Sequence, residues 1–408
     1  MRKAAFFILV FLVIIGCKEA TKVQLSEGIW VAELEVMDKE ILPFNFKLLQ
    51  DDAGAYSMEV YNAEEVITVD EIVVKEDSIH IKMPVYEGYL VGTFTATTIT
   101  GDFIKESLDR VVPFTATYGK EVRFNTSATA ATHNVSGIWE TTFEYQTAKP
   151  YIAKGIFTQN EDKVTGTFRT TTGDYRYLEG RMDGDSLKLS AFDGAHAFLF
   201  TARVTDSTLD GAFYSGNHAK ELFRATRNEA FELPDADSLT FIKKGYDKFA
   251  FRFPDTEGTL VSLDDPEFKD KVVLVQIMGS WCPNCLDETR FYQEYLTTHN
   301  LDNLKVVGLA FEYAKTEAQA FKAISRLKER IGVSYPILLA QYGTSDKEKA
   351  QEKLPMLNHV LSYPTTIYID KKGEVRKIHT GFNGPATGEK YVAFQREFKA
   401  FVGELLAE

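Results

Sequence analysis

Lys271-Val-Val-Leu-Val-Gln-Ile-Met-Gly-Ser-Trp-Cys-Pro-Asn-Cys285 is the stretch on which the fold turns. Its apolar half, Val272 to Met278, has the length and branching of a buried strand, and the amphipathic pattern over residues 283–298 that follows is helical. Cys282 and Cys285 therefore fall where a strand gives way to a helix. Unpaired N–H groups and the macrodipole favour an anion at a helix N-terminus, which suits Cys282 to act as a thiolate nucleophile. Cys285, one turn further in, is placed to attack a mixed disulfide formed at Cys282. The pair reads as nucleophile and resolver.

Three other chemistries compete for a Cys-X-X-Cys. A zinc ribbon needs a second ligand pair, and the only other cysteine is Cys17 at the far end of the chain. The seven histidines are scattered, with no pair at ligand spacing, so no metal and no cofactor are expected. A peroxiredoxin would carry a Pro and a Thr where Val275 and Gly279 stand ahead of Cys282. A structural disulfide stays open as an alternative, although so short a loop adds little stability.

Outward from the motif, apolar runs at 272–278, 304–310, 336–339 and 365–370 alternate with helical patterns at 283–298, 316–330 and 387–406. Strands alternating with helices imply an α/β sheet. Glu312 ends the run Val306-Val307-Gly308-Leu309-Ala310-Phe311, and the carboxyl ends of strands line the crevice of such sheets. It is the candidate proton carrier for the resolving thiol.

From Phe249 to Leu406 the sequence closely resembles the TlpA/ResA-like branch of the thioredoxin family, membrane-tethered bacterial thiol-disulfide oxidoreductases. The resemblance rests on the Val272 to Val275 strand, Trp281-Cys282-Pro283-Asn284-Cys285, Glu288, Tyr335-Pro336 and Tyr363-Pro364-Thr365-Thr366-Ile367. It implies a thioredoxin-like fold, and a cis Pro364 beside the cysteines whose neighbour's backbone receives the substrate chain. Trp281, Pro283, Tyr363 and Pro364 are thereby expected to bind substrate, and Glu312 matches a Glu that relatives place near their cysteines. The stretch Asp346 to His359, taken as helical, looks like the insertion of this branch. Two positions depart from the pattern: Thr289 replaces a helix Pro, which should leave that helix straight, and Gln276 replaces thioredoxin's buried acid.

Upstream the chain repeats itself. Gly28-Ile29-Trp30 recurs as Gly137-Ile138-Trp139 at an offset of 109, and Asp77-Ser78-Ile79 as Asp185-Ser186-Leu187 at 108. Phe94-Thr95-Ala96 with Gly101 is matched to Phe200-Thr201-Ala202 with Gly211, and Phe114 and Ala116-Thr117 to Phe223 and Ala225-Thr226. Runs such as Ile79-His80-Ile81-Lys82-Met83 alternate apolar and polar residues, as half-buried antiparallel strands do. About eight strands per repeat can close into a small up-and-down barrel. Trp30 and Trp139 are expected as core plugs, in segments that faintly resemble the first strand of lipocalin-like barrels.

At the N-terminus, Arg2 and Lys3 precede the apolar run Ala4 to Ile15, too short for a bilayer span, which needs about 20 residues. The segment reads as a signal peptide. Ile14-Ile15-Gly16-Cys17 resembles the bacterial lipobox, which implies acylation of Cys17 and a lipid anchor. Lys18 and Glu19 follow, without the Asp that retains some lipoproteins at an inner membrane, so the periplasmic side of an outer membrane is mildly preferred. A formal net charge of -13 argues against nucleic acid, whose phosphates require a basic face.

The sequence thus predicts a multidomain chain: signal peptide 1–16, lipidated tether 17–23, β-barrel-like repeats 24–120 and 133–228, and a thioredoxin-like α/β domain 245–408. Its expected function is extracytoplasmic disulfide exchange, in the reducing direction, with protein thiols and disulfides, recharged by a membrane thiol reductant. The alternative is a lipoprotein whose duplicated β region captures a ligand or partner while the redox domain is secondary.

Overall fold

The computed structural model describes residues 24–125, 129–299 and 301–408. Cys17, with the rest of the segment before residue 24, lies outside the described residues.

Two all-β modules precede an α/β domain. Each is an antiparallel meander whose first strand also pairs with its last: Gly28–Glu35 with Arg110–Tyr118, and Gly137–Phe143 with Ala219–Arg227. Period-two alternation does the folding. In Ser78–Lys82, Ile79 and Ile81 point inward while Ser78 and His80 face out. The second module closes fully, because Tyr151–Asn160 pairs with Lys163–Thr170 and joins eight strands in a ring. The first keeps a seam. Its ladder ends at Glu65–Val69 on one side and Glu71–Lys75 on the other.

The equivalence of the modules extends to single hydrogen bonds. Trp30 and Trp139 are both fully buried, and each indole N–H donates to the carbonyl four residues before it, Ser26 and Val135. Gly28 and Gly137 stand at φ +122° and +117°, a region that penalises a Cβ. Two details differ from expectation. Nine strands form in each module rather than eight: Asp70 splits one strand of the first, and the second adds the two-residue strand Gly173–Asp174. The match of Phe94-Thr95-Ala96 to residues 200–202 is also out of register. Thr95 and Thr98 bridge their hairpin as Thr205 and Thr208 bridge theirs, so Phe94 corresponds to Val204. The sequence similarity at 200–202 is incidental, since side-chain pairs across the turn set the register.

In the C-terminal domain the sheet order is Ile337–Gln341, Leu304–Phe311, Val272–Met278, Thr365–Ile369, Val375–Thr380. The first three strands are parallel, Thr365–Ile369 runs antiparallel to them, and Val375–Thr380, antiparallel to that strand, returns to the first direction. Helices α1 (Pro283–His299), α2 (Glu317–Ile331), α3 (Lys347–Lys353) and α4 (Glu389–Ala407) complete it. Val272–Met278 is buried along its whole length, as an apolar strand at the centre of a covered sheet must be. α1 runs unbroken through Thr289, whose hydroxyl donates to Gln276 Oε1 at 3.1 Å. Helix in the 346–359 stretch is confined to α3, and the edge strand Val375–Thr380 was not anticipated.

Both β modules pack on this domain. Val85 and Tyr86 of the first and Ala195 of the second belong to the same buried cluster as the two cysteines. The seam of the first module is covered by α2, where Arg330 pairs with Asp70 and Arg326 with Glu71. An unpaired sheet edge is thereby kept from other chains.

Candidate active site

Gly279 to Cys285 forms the turn between the central strand and α1. A Cβ on Gly279 would fall 2.3 Å from Trp281 Nε1, so only glycine lets the indole fold back over the turn. That indole donates to Phe311 O at 2.9 Å and packs edge-on to Tyr363, with ring centroids 5.6 Å apart. Pro283 occupies the first position of α1, where its missing N–H costs nothing.

Both cysteines are free thiols. Cys282 is 6% exposed and Cys285 is fully buried beneath it. The Cys285 N–H donates to Cys282 Sγ at 3.2 Å, and Cys282 Sγ lies 3.4 Å from Tyr363 O, which its S–H can reach as donor. The Tyr363–Pro364 bond is cis. Burial, together with the adjacent Cys282, holds the Cys285 thiol well above its ordinary pKa. That thiol gives up its proton only with help.

Two buried carboxylates flank the turn. Glu312 accepts from the Ser280 N–H at 2.7 Å and the Ser280 hydroxyl at 2.8 Å, and burial pushes its pKa up to about 7. It faces a cavity of about 320 Å³ between the first β module and the Ser280-Trp281 turn. Glu288 lies on the Cys285 side. It accepts from Gln276 Nε2 at 2.9 Å and from the hydroxyls of Tyr292 and Thr366, and burial pushes its pKa, too, up to about 7. The same Gln276 amide also reaches Cys285 O at 3.3 Å. Glu288 was quoted only as part of the motif, although its place three residues after Cys285 on a helix puts the two on one face.

The second β module touches this site directly. Its 170–177 hairpin lays Thr172 O against the Ser362 hydroxyl at 2.7 Å, and Asp174 O against Asn284 Nδ2 at 3.2 Å. Asn284 lies between the cysteines, and Ser362 immediately precedes Tyr363. Next to them Arg176 bridges Asp287 of α1 and Glu65 of the first module, with its guanidinium 6% exposed. Nothing in the sequence marked this hairpin, because its contacts are made by backbone and by residues more than a hundred positions from their partners. Among the described residues there is no group of His, Cys, Asp and Glu that could hold a metal.

Residues 243–393 match the model of the Redoxin family. The C-terminal domain is thioredoxin-like. Similar proteins include the thioredoxin-like protein YneN of Bacillus subtilis, 29% identical over 34% of this chain and 73% of that protein. The sporulation thiol-disulfide oxidoreductase A of the same organism is 24% identical over 35% and 74% of the two chains. The thiol:disulfide interchange protein DsbE of Escherichia coli is 28% identical over 42% and 82%. A solved thiol-disulfide oxidoreductase from Bacteroides fragilis aligns over 36% of this chain and 99% of its own, at 15% identity and a TM-score of 0.28. The C-terminal domain is similar to thiol-disulfide oxidoreductases, and the two β modules lie outside the residues that the Redoxin model matches.

Proposed function

We propose that the chain reduces disulfides in protein substrates through Cys282 and Cys285, on the extracytoplasmic face of a membrane to which Cys17 ties it. The carrying observation is the stacking of the two thiols: Cys282 Sγ at the head of α1 within 3.4 Å of Tyr363 O, and Cys285 buried below it. Cys282 as thiolate attacks one sulfur of a substrate disulfide, forming the mixed disulfide and releasing the other sulfur as a thiolate. Cys285 then loses its proton and attacks Cys282 Sγ. The second substrate sulfur leaves as a thiolate, and a Cys282–Cys285 disulfide remains. A membrane thiol reductant returns the pair to the dithiol.

Glu312 and Glu288 are the proton carriers within reach of this turn, and carboxyls poised near neutrality suit transfer in either direction. Glu288 is near enough to Cys285 to oppose its ionisation, and so favours its own protonation when the thiolate forms. Trp281, Pro283, Tyr363 and Pro364 frame the substrate edge. The Ser362 side of that edge is held by Thr172, so a polypeptide substrate can lie along it only once the hairpin lifts.

Trapping tests the division of labour: Cys285→Ser should accumulate mixed disulfides through Cys282, whereas Cys282→Ser should form none and lose exchange. Identical behaviour of the two variants would refute it. Glu312→Gln and Glu288→Gln should each move the pH–rate profile to more alkaline pH, and an unchanged profile removes that carboxyl from the mechanism. Cys17→Ser should release the protein from membranes, and retention there would refute the anchor.

A further inference from the structure

A second cavity, of about 390 Å³, opens where both β modules meet the Trp281 turn. Its size is that of a small-molecule site, and junctions between domains are where such sites concentrate. Phe198 and Phe213 of the second module wall it together with Trp281. The first module contributes Lys105 and Arg110, and these two are directly opposed across their hairpin. Like charges placed opposite one another repel, and burial should amplify the cost.

Neither cation is neutralised. Lys105 is buried, and its ammonium donates to Ala195 O at 2.8 Å, which leaves two of its three donors without a hydrogen-bond partner among the described residues. No carboxylate of the described residues lies within 4.0 Å of it, and Arg110 has neither a hydrogen bond nor an ion pair there. Burial, with Arg110 beside it, lowers the Lys105 pKa to about 8. Burial and the same two cations bring His218, on the cavity wall, down to about 4, so it adds no charge at neutral pH.

The carboxylates nearby already accept other hydrogen bonds. Asp193 accepts from the backbone and ring of His196, also on the wall, and Glu221, on the wall too but with no ion pair to either cation, accepts from the Tyr151 hydroxyl. Glu87 and Asp193 favour the charge of Lys105 only from beyond ion-pair distance. Two partly dehydrated, uncompensated cations facing an aromatic-walled cavity are a receptor for an anion with an apolar body.

The geometry points to this cavity as a binding site for a small aromatic carboxylate, its ring against Phe198, Phe213 and Trp281 and its charge between Lys105 and Arg110. The site adjoins the disulfide-exchange site, with which it shares Trp281, and it is built largely from the β modules, which lie outside the Redoxin match. Calorimetric titration of the full chain with naphthoate tests it, with naphthamide as the neutral isostere and octanoate as a non-aromatic anion.

Naphthoate should bind once per chain, and naphthamide and octanoate at least about tenfold more weakly. Lys105→Met and Arg110→Gln should each weaken naphthoate about tenfold while leaving naphthamide unchanged. Arg110 is half-exposed, so its variant keeps the test valid if Lys105→Met fails to fold. Equal affinity for naphthoate and naphthamide, or unchanged naphthoate affinity in Arg110→Gln, overturns the site. Octanoate binding as tightly as naphthoate overturns its aromatic specificity.

Discussion

The two β modules share a scaffold and differ in how they grip the redox domain. Beside the buried Val85 and Tyr86, the first holds α2 and the residues just before it through surface charge, with Arg330 on Asp70 and Lys315 on Asp109, all partly or largely solvated. The second reaches the cysteine motif through backbone contacts and one buried guanidinium, Arg176. Duplication therefore conserved the parts that make a barrel and left the loops free to diverge. That is the usual division between a packed core and the segments that carry function.

If the scaffold is truly common, its two plugs should matter equally. Trp30→Ala and Trp139→Ala each remove a fully buried indole with its hydrogen bond, and each should cost about 3–5 kcal/mol in urea unfolding. A difference of more than about 2 kcal/mol between them would break the equivalence, since the two sites would then relax differently.

The loops should behave in the opposite way. Burial works against the charge of Arg176, but Glu65, Tyr86, Asp193 and Asp174 outweigh it and raise its pKa. Arg176→Met strands two carboxylates, Glu65 and Asp287, and should cost about 3–5 kcal/mol. The loss should be partly restored by adding Asp287→Asn. A loss below about 1 kcal/mol would mean that the hairpin is held by its backbone contacts and by Asp174, whose carboxylate accepts from the Gly384 N–H.

Glu288 and Glu312 sharpen the comparison at the redox site itself. Each has a folded pKa of about 7, raised by burial above the ordinary carboxylate value of 4.5. Between those values the folded chain binds more protons than the unfolded one, so stability falls as pH rises through the window and levels off above it. The full cost is on the order of 3 kcal/mol for each group. Glu288→Gln and Glu312→Gln should each flatten that fall, as read from unfolding midpoints between pH 4.5 and 7. An unaltered slope in either variant would show that its carboxyl is not burdened by burial.

What was legible in the sequence follows the same divide. The strand before Cys282, α1, α2, α4 and the paired Trp residues were readable because periodicity and spacing are local. The edge strand Val375–Thr380 was missed because it is short and has only Ile378 and Thr380 buried. The hairpin at 170–177, Arg176 and the Lys105–Arg110 pair were invisible for another reason. Their significance comes from what tertiary packing sets beside them, and a polar residue on a strand carries no mark of a partner that lies far along the chain. Glu288 lies between these cases, since its helical spacing from Cys285 was readable but its Gln276, Tyr292 and Thr366 partners were not.

The smallest effect belongs to the surface charges of the first module. The Arg330 hydrogen bond holds Asp70 below the usual carboxylate range, so its contribution is present above the unfolded value and fades as pH falls through the folded one. Both partners keep water, at 28% and 53% exposure, and screening should limit the pair to less than about 1 kcal/mol. Asp70→Asn should therefore lower stability only slightly at low salt, and not measurably near 1 M salt, where the Debye length is about 3 Å. Glu71 leaves the seam a second tether through Arg326, whose guanidinium also donates to Met83 O at 2.7 Å. If Asp70→Asn instead costs as much as Arg176→Met, the first module grips the redox domain as firmly as the second, and the contrast between them collapses.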